Sequence, residues 1–312
     1  MAIPSAFQGK LKLPAIAAPM FLTSGPDLVV ETCLNGMVGT FPALNQRTTE
    51  GFVEWLEQIE SRLAGKEAAP YGVNLIVHRS NPRLEADLEQ VVKHKVPLVI
   101  TSLGAVPEVV KAVHSYGGLV FHDVINRRHA EKAAEAGVDG IIAVSAGAGG
   151  HAGTVSPFAL VEEIRQVFDG TVILAGAIST GAQIAAARLM GADLAYLGTR
   201  FIATHEAMVE EDYKDMITQT RAADIIYTPK VSGVNANFLK PSMEKAGLDL
   251  DDMEGHAGLD MANEAKAWKT VWSAGHGVGS ITDKPATAEL IQRLTREYRE
   301  AVARMAADEF AR

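Results

Sequence analysis

Eight short apolar runs, each followed by a helix-like stretch, set the tightest limit on what this chain can fold into. They are AIAAP (15–19), MVGTF (37–41), YGVNLIV (71–77), PLVITS (97–102), GLVFHDV (118–124), GIIAVS (140–145), TVILAG (171–176) and LAYLGT (194–199). Each carries few charges, the pattern of a strand buried on both faces in a parallel sheet. Helix candidates lie between them at 49–63, 82–95, 107–117, 127–137, 156–168 and 180–191. Several open on Ser, Thr or Pro and close on Gly, as helix ends do. Eight strand–helix units in about 200 residues predict an α/β fold, the closed (β/α)8 or TIM barrel. The alternative is an open doubly wound sheet, but no GxGxxG turn follows the first run.

The alternation assigns the barrel core to 1–202 and stops after the eighth run. Residues 203–268 are rich in Met, Asp, Glu and Lys and read as a helical insertion. It either caps the barrel mouth or forms a peripheral layer. A C-terminal segment, 269–312, supplies an amphipathic helix at about 284–310 that closes the ring.

The net charge of −9 argues against a nucleic-acid partner, because no basic surplus is available to neutralise phosphates. No apolar stretch approaches the roughly 18 residues a spanning helix needs, and the N-terminus does not read as a leader peptide. Cys33 is the single cysteine, so no internal disulfide forms. A reducing, cytoplasmic setting is the expectation. The expected partners are a small-molecule substrate and O2, with no membrane, and an oligomer is compatible with the sequence.

Barrel enzymes build their active sites at the C-terminal strand ends. The seventh and eighth runs end in AGAIST and LGTRF, which supply Gly176, Gly198, the Thr199 hydroxyl and backbone amides at adjacent ends. That pair predicts a phosphate cradle; two tight turns needing small residues would read the same way. No strand end carries a lysine, which argues against a Schiff-base aldolase. HxH and HExxH pairs are absent, so no metal site is expected. Asp123 is nearly alone among carboxylates at these ends, so paired-carboxylate chemistry lacks a partner. A phosphate cradle with little acid–base apparatus fits a phosphate-anchored cofactor that brings its own reactivity, FMN above all.

The sixth run leads into VSAGAGGHAGTV (144–155). Its small residues let the backbone approach a flat ring, and His151 then returns above the reactive atoms as base, hydrogen-bond donor or anion holder. A turn-capping role for His151 is the alternative. Of the neighbours His122 and Asp123, successive strand residues face opposite sides, and His122 is expected to line the pocket.

AAPM (17–20), GVN (72–74), the loop Gly147–Gly153, AGAIS (175–179), LGTRF (197–201) and SAGHGVG (273–279) occur in the same order as in nitronate monooxygenases, formerly 2-nitropropane dioxygenases. The chain resembles that family from about residue 11 to 285. The resemblance implies an FMN barrel with phosphate contacts at Gly176, Ala177, Gly198 and Thr199, ring contacts at Pro19, Met20, Asn74 and Gly149, and His151 as the active-site histidine. It implies that an alkyl nitronate, or a neutral nitroalkane, is oxidised by O2 to a carbonyl compound and nitrite. The family loop often reads Gln-Gly-x-Glu before Ala-Gly-Gly-His; Val144, Ser145, Ala146 and Gly147 stand there instead. The substrate pocket is therefore expected to differ, with His122, Ser232 and His276 as its candidate residues. Two other readings stay open: an NAD(P)H-dependent FMN reductase of quinones or enoyl thioesters, and a non-redox barrel that binds a phosphate ligand.

Overall fold

The computed structural model describes residues 3–78, 80–104, 106–248 and 270–311. Its centre is a closed barrel of eight parallel strands. They are β1 (Ala15–Ala17), β2 (Val38–Pro42), β3 (Tyr71–Ile76), β4 (Leu98–Ser102), β5 (Leu119–Val124), β6 (Gly140–Val144), β8 (Thr171–Ala175) and β9 (Leu194–Leu197). The two-residue strand β7 (Gly150–His151) lies outside the barrel. β9 pairs with β1 through Ile16 and Tyr196, which closes the sheet on itself and leaves no barrel edge exposed.

Helices α1 (Pro26–Leu34), α2 (Thr49–Leu63), α3 (Leu84–Lys93), α4 (Pro107–His114), α5 (Arg127–Glu135), α6 (Pro157–Arg165) and α7 (Gly181–Leu189) follow the first seven barrel strands. The expected TIM barrel is thus what the chain forms, with strand and helix ends shifted by a few residues at most sites. The ends have local causes. Thr48 caps α2 by accepting the Gly51 N–H, and Thr180 with Gln183 forms a capping box on α7.

Two apolar clusters show which way each strand residue points. Ile16, Val38, Leu98, Ile100, Phe121, Ile142, Ile173 and Leu194 fill the barrel interior. Val73, Val99, Val120, Val124, Ile141, Leu174 and Ala195 pack outward with the helices. Phe7 lies edge-on to Phe121, with ring centroids 6.0 Å apart, so the N-terminal 3-10 turn plugs one end of the barrel. The other end, where the strands finish, stays open.

After β9 come one turn of helix α8 (Thr199–Ile202), then α9 (Glu211–Gln219), β10 (Ile225–Thr228), β11 (Ala236–Leu239) and α10 (Lys240–Lys245). The insertion therefore contains an antiparallel hairpin as well as helices. Its strand β11 pairs with β7, joining the insertion to the loop after β6. The part of the expected insertion at 249–268 lies outside the described residues. Helix α11 (Thr287–Ala306) packs on α7 and α1 and closes the ring, within the 284–310 expected for it. Among the described residues, no helix is long and apolar enough to cross a membrane.

Candidate active site

The open end of the barrel surrounds a cavity of about 1930 Å3. Small-molecule pockets usually hold roughly 300–1,000 Å3, so this one has room for a cofactor and a substrate together. The insertion forms part of its wall through Met208, Tyr213 and Tyr227, and the C-terminal segment adds Trp272.

One end of the cavity is a cradle of small residues. β8 runs into Gly176 at φ 131° and Ala177 at φ 55°, a left-handed step that turns the backbone toward the cavity. A Cβ on Gly176 would collide with Ser145 Oγ. Ser179 follows; it is 4% exposed and its hydroxyl has no hydrogen-bond partner. Gly277 packs behind it, where a Cβ would stand 2.5 Å from that hydroxyl. Across the cradle, Thr199 opens α8 and its Oγ1 accepts the Gly275 N–H at 2.8 Å. A buried hydroxyl without a partner needs an explanation. A phosphate oxygen, acceptor for Ser179 and Thr199 hydroxyls and for nearby amides, would supply one. Arg200 is no part of this cradle: its guanidinium turns to Asp283 and the Ala203 carbonyl.

The loop carrying His151 is tied on both sides. Ala146 N–H bonds to Val155 O at 2.8 Å, closing its base. Asn237 Nδ2 donates to Ala148 O at 2.6 Å, and Tyr227 Oη donates to Ala152 O at 3.0 Å. Ser273 Oγ accepts the Gly150 N–H at 2.7 Å and donates to Asn237 O at 2.6 Å. Gly149 lies under the 274–275 backbone, where a Cβ would come within 2.9 Å of Gly275 N. The bare sequence of the loop is thus a packing requirement, and it holds the His151 backbone in register with Ala236.

A polar layer lines the barrel interior below the mouth. Asn74 Nδ2 donates to Ser102 Oγ at 2.8 Å, and Ser102 Oγ donates to Asp123 Oδ2 at 2.5 Å. Asp123 Oδ1 and Tyr196 Oη are buried without partners. Burial pushes the Asp123 carboxyl up to about 6, against the pull of the Ser102 bond and the His151 charge. Burial and the Asp123 charge hold the Tyr196 phenol well above its usual range, so it stays protonated. His122 has the opposite parity: its Nδ1 pairs with Thr101 Oγ1 at 2.7 Å. Burial drives its pKa down to about 4, so it is neutral near pH 7.

Pro19, Met20, Asn74, Gly149, His151, Gly176, Ala177, Gly198 and Thr199 all border the one cavity. His122 also reaches it, from the helix-facing side of β5. Ser232 and His276 do not. Ser232 donates to Val234 O in its own loop, and the exposed His276 ring packs on Gly147 outside the mouth. Asp123, Ser102, Tyr196, Asn237 and Ser273 were not singled out as site residues from the sequence. The parity of β5 told only that His122 and Asp123 face opposite sides; the packing of Phe121 in the barrel interior assigns Asp123 to the inside. Among the described residues, no group of three or more His, Cys, Asp or Glu is placed to hold a metal ion.

Comparison with known proteins identifies the family. A family model described as nitronate monooxygenase matches residues 49–297. A nitronate monooxygenase of Paraburkholderia phytofirmans is 27% identical, with 93% of each chain covered. A (3aS,4S,5R,7aS)-5-hydroxy-7a-methyl-1-oxo-octahydro-1H-indene-4-carboxyl-CoA dehydrogenase of Rhodococcus jostii is 26% identical over 87% of this chain and 76% of its own. Among solved structures, a nitroalkane oxidase from Streptomyces ansochromogenes superposes with a TM-score of 0.84 at 23% identity, covering 96% of this chain and all 100% of that one. FabK from Thermotoga maritima gives a TM-score of 0.82 at 22% identity, with 96% of each chain covered. At such identities the two structures speak for the fold alone.

Proposed function

The chain belongs to the nitronate monooxygenase family and is a flavin-dependent oxidoreductase, and from that premise we propose that it binds FMN and oxidises alkyl nitronates with O2 to a carbonyl compound and nitrite. The observation that carries the cofactor choice is the partnerless Ser179 hydroxyl in the cradle of Gly176, Ala177 and Thr199. This cradle suits one phosphate, and no dinucleotide fingerprint accompanies it.

Gly176, Ala177, Ser179, Gly198 and Thr199 would hold the phosphate. Pro19, Met20, Asn74 and Gly149 would border the ring. FMN, when bound, would supply the one-electron redox chemistry between substrate and oxygen. His151 holds the substrate beside the ring as a hydrogen-bond donor to the nitro oxygens or as a base. The insertion keeps that histidine in place, and its Tyr213 and Tyr227, with Trp272 of the C-terminal segment, shield the mouth from bulk water.

The test is the visible spectrum of the purified protein, taken before and after anaerobic addition of ethylnitronate or NADH. A flavin spectrum, FMN on acid release, and nitrite formation in air from ethylnitronate are expected. Bleaching by NADH with no response to the nitronate would replace this reading by a nicotinamide-dependent reductase. A colourless protein that binds no added FMN would end both.

A further inference from the structure

We propose that the cavity takes a substrate whose reacting group is carried on a long hydrocarbon body, and that Leu22 and Leu103 at its mouth select that body. This rests on the nitro-compound reading above and deepens it by naming the class of nitronate.

Backbone geometry is the first support. Leu22 at φ 56° and Leu103 at φ 64° are both left-handed. A bulky side chain is costly there, where glycine or asparagine would be comfortable. Both positions are nevertheless leucine, and both border the cavity. The turns are fixed without help from these side chains. Asn45 accepts the Leu22 N–H at 2.8 Å and donates to the carbonyls of Met20 and Ser24. Leu103 follows Ser102, which is anchored between Asn74 and Asp123. Neither leucine joins an apolar cluster among the described residues, so core packing does not account for them.

The rim is the second support. Of the nine large apolar side chains that stand exposed among the described residues, four border this cavity: Leu103, Ile125, Met208 and Tyr227. They come from the loops after β4 and β5 and from the insertion, so no local run of sequence puts them together. Scattered singly, such residues need no explanation; gathered at one rim, they mark a surface that an apolar group covers. On the same wall Arg47 and Lys132 are exposed, and Arg83 is paired with Asp87 and the Gln46 carbonyl. Among the described residues, no buried, unpaired Lys or Arg waits there for an anionic tail.

Size is the third support. A pocket for one drug-sized ligand holds at most roughly 1,000 Å3. FMN is a ligand of that class, and the cavity of about 1930 Å3 leaves more space than a two- or three-carbon nitronate fills. Each methylene that the mouth takes out of water is worth up to about fourfold in affinity. The reacting group stays at the His151 end, so the gain appears in KM and not in kcat.

The test is a chain-length series on the flavin-loaded protein, with nitrite as the readout. The probes are the nitronates of nitroethane, 1-nitrobutane, 1-nitrohexane, 1-nitrooctane and 8-nitrooctanoic acid. Calorimetry measures in parallel the binding of butan-1-ol and octan-1-ol, which do not react. The expected result is that kcat/KM rises along the alkyl series by roughly two- to fourfold per methylene, chiefly through KM. Octanol should bind more tightly than butanol, and the carboxylate-tipped chain should fall below nitrooctane. Leu22→Asn and Leu103→Asn should each keep or raise Tm, because asparagine accepts the left-handed backbone. Each should also lower the octyl-to-ethyl ratio of kcat/KM by roughly three- to tenfold. A flat series, or a preference for the carboxylated chain, overturns the proposal and leaves the functional reading standing. A lowered Tm with an unchanged ratio makes the leucines structural and overturns it too. If no nitronate is turned over while octanol still binds more tightly than butanol, the functional reading falls and the apolar mouth remains. No turnover with equal binding of the two alcohols overturns both.

Discussion

The side-chain amide of Asn237 donates a hydrogen bond of 2.6 Å to the Ala148 carbonyl, 89 residues earlier in the chain. It fastens the insertion after the barrel to the loop after the sixth strand, three residues before His151. Removing the donor strands a buried carbonyl, a cost of about 1–3 kcal/mol. Asn237→Leu is therefore expected to lower Tm by a few degrees. It should also reduce kcat more than it changes flavin content, because the loop loses its register while the cradle at 176–179 is untouched. Thermal unfolding and turnover per bound flavin check this. Wild-type values for both would mean the bond contributes nothing.

Two glycines in the same cavity should respond in opposite ways to substitution. Gly149→Ala puts a Cβ against the Gly275 and Ala274 backbone, at 2.9 and 3.1 Å. Backbone cannot swing aside as a side chain can, so the expected outcome is a destabilised protein with little bound flavin. Gly198→Ala puts a Cβ 3.6 Å from Met20 Sδ, an ordinary contact, at a negative φ that any residue adopts. It should fold and bind. Gly198→Asp adds negative charge beside the cradle and should fold without flavin. Circular dichroism and the flavin-to-protein absorbance ratio separate the three; a yellow Gly198→Asp would move the phosphate elsewhere.

His122 should make the protein acid-labile. Its pKa is depressed from 6.5 to about 4 in the folded chain, chiefly by burial. The folded state thus resists protonation, and the stability involved is present above pH 6.5 and lost as pH falls through 4. The shift corresponds to about 3 kcal/mol. His122→Gln cannot titrate and should flatten this part of the profile. Urea unfolding at pH 7 and pH 4.5 measures it, and parallel losses in both proteins would clear His122.

Asp123 works in the other direction. Its pKa is raised from 3.8 to about 6, so the folded state binds its proton more tightly than the unfolded one. Stability is then greatest below pH 3.8 on this account and declines as pH rises through 6. Asp123→Asn should be more stable than wild type at pH 8, with the gap narrowing toward pH 4. A variant less stable than wild type at pH 8 would show that the carboxylate is well paired after all.

The barrel was legible because parallel strands buried on both faces leave apolar runs in the sequence, and glycine and serine punctuate the helices. The same property concealed the choice at β5. A run apolar on both sides carries no alternation, so nothing in LVFHDV says which neighbour faces in; Phe121 decided it only once packed beside Phe7 and Ile100. The hairpin of β10 and β11 was missed because IIYT and ANFL are four residues each and gain their third strand from two residues of a distant loop. His276 is expected in the pocket because it falls within SAGHGVG, one of the motifs shared with the family. Its flanking glycines, Gly275 and Gly277, serve close contacts with 147–149 and 177–179, and the exposed ring between them packs on Gly147 and does not line the cavity.

The cradle draws on residues 145, 176–179, 198–199 and 275–277. During synthesis at roughly 5–20 residues per second, the barrel strands leave the ribosome well before Gly275 and Gly277 do. Helix α11, which locks the last unit against the first, emerges later still. Flavin capture is therefore a closing event in the life of the nascent chain. Until then the mouth lacks part of its wall, and the apolar residues that line it stand open.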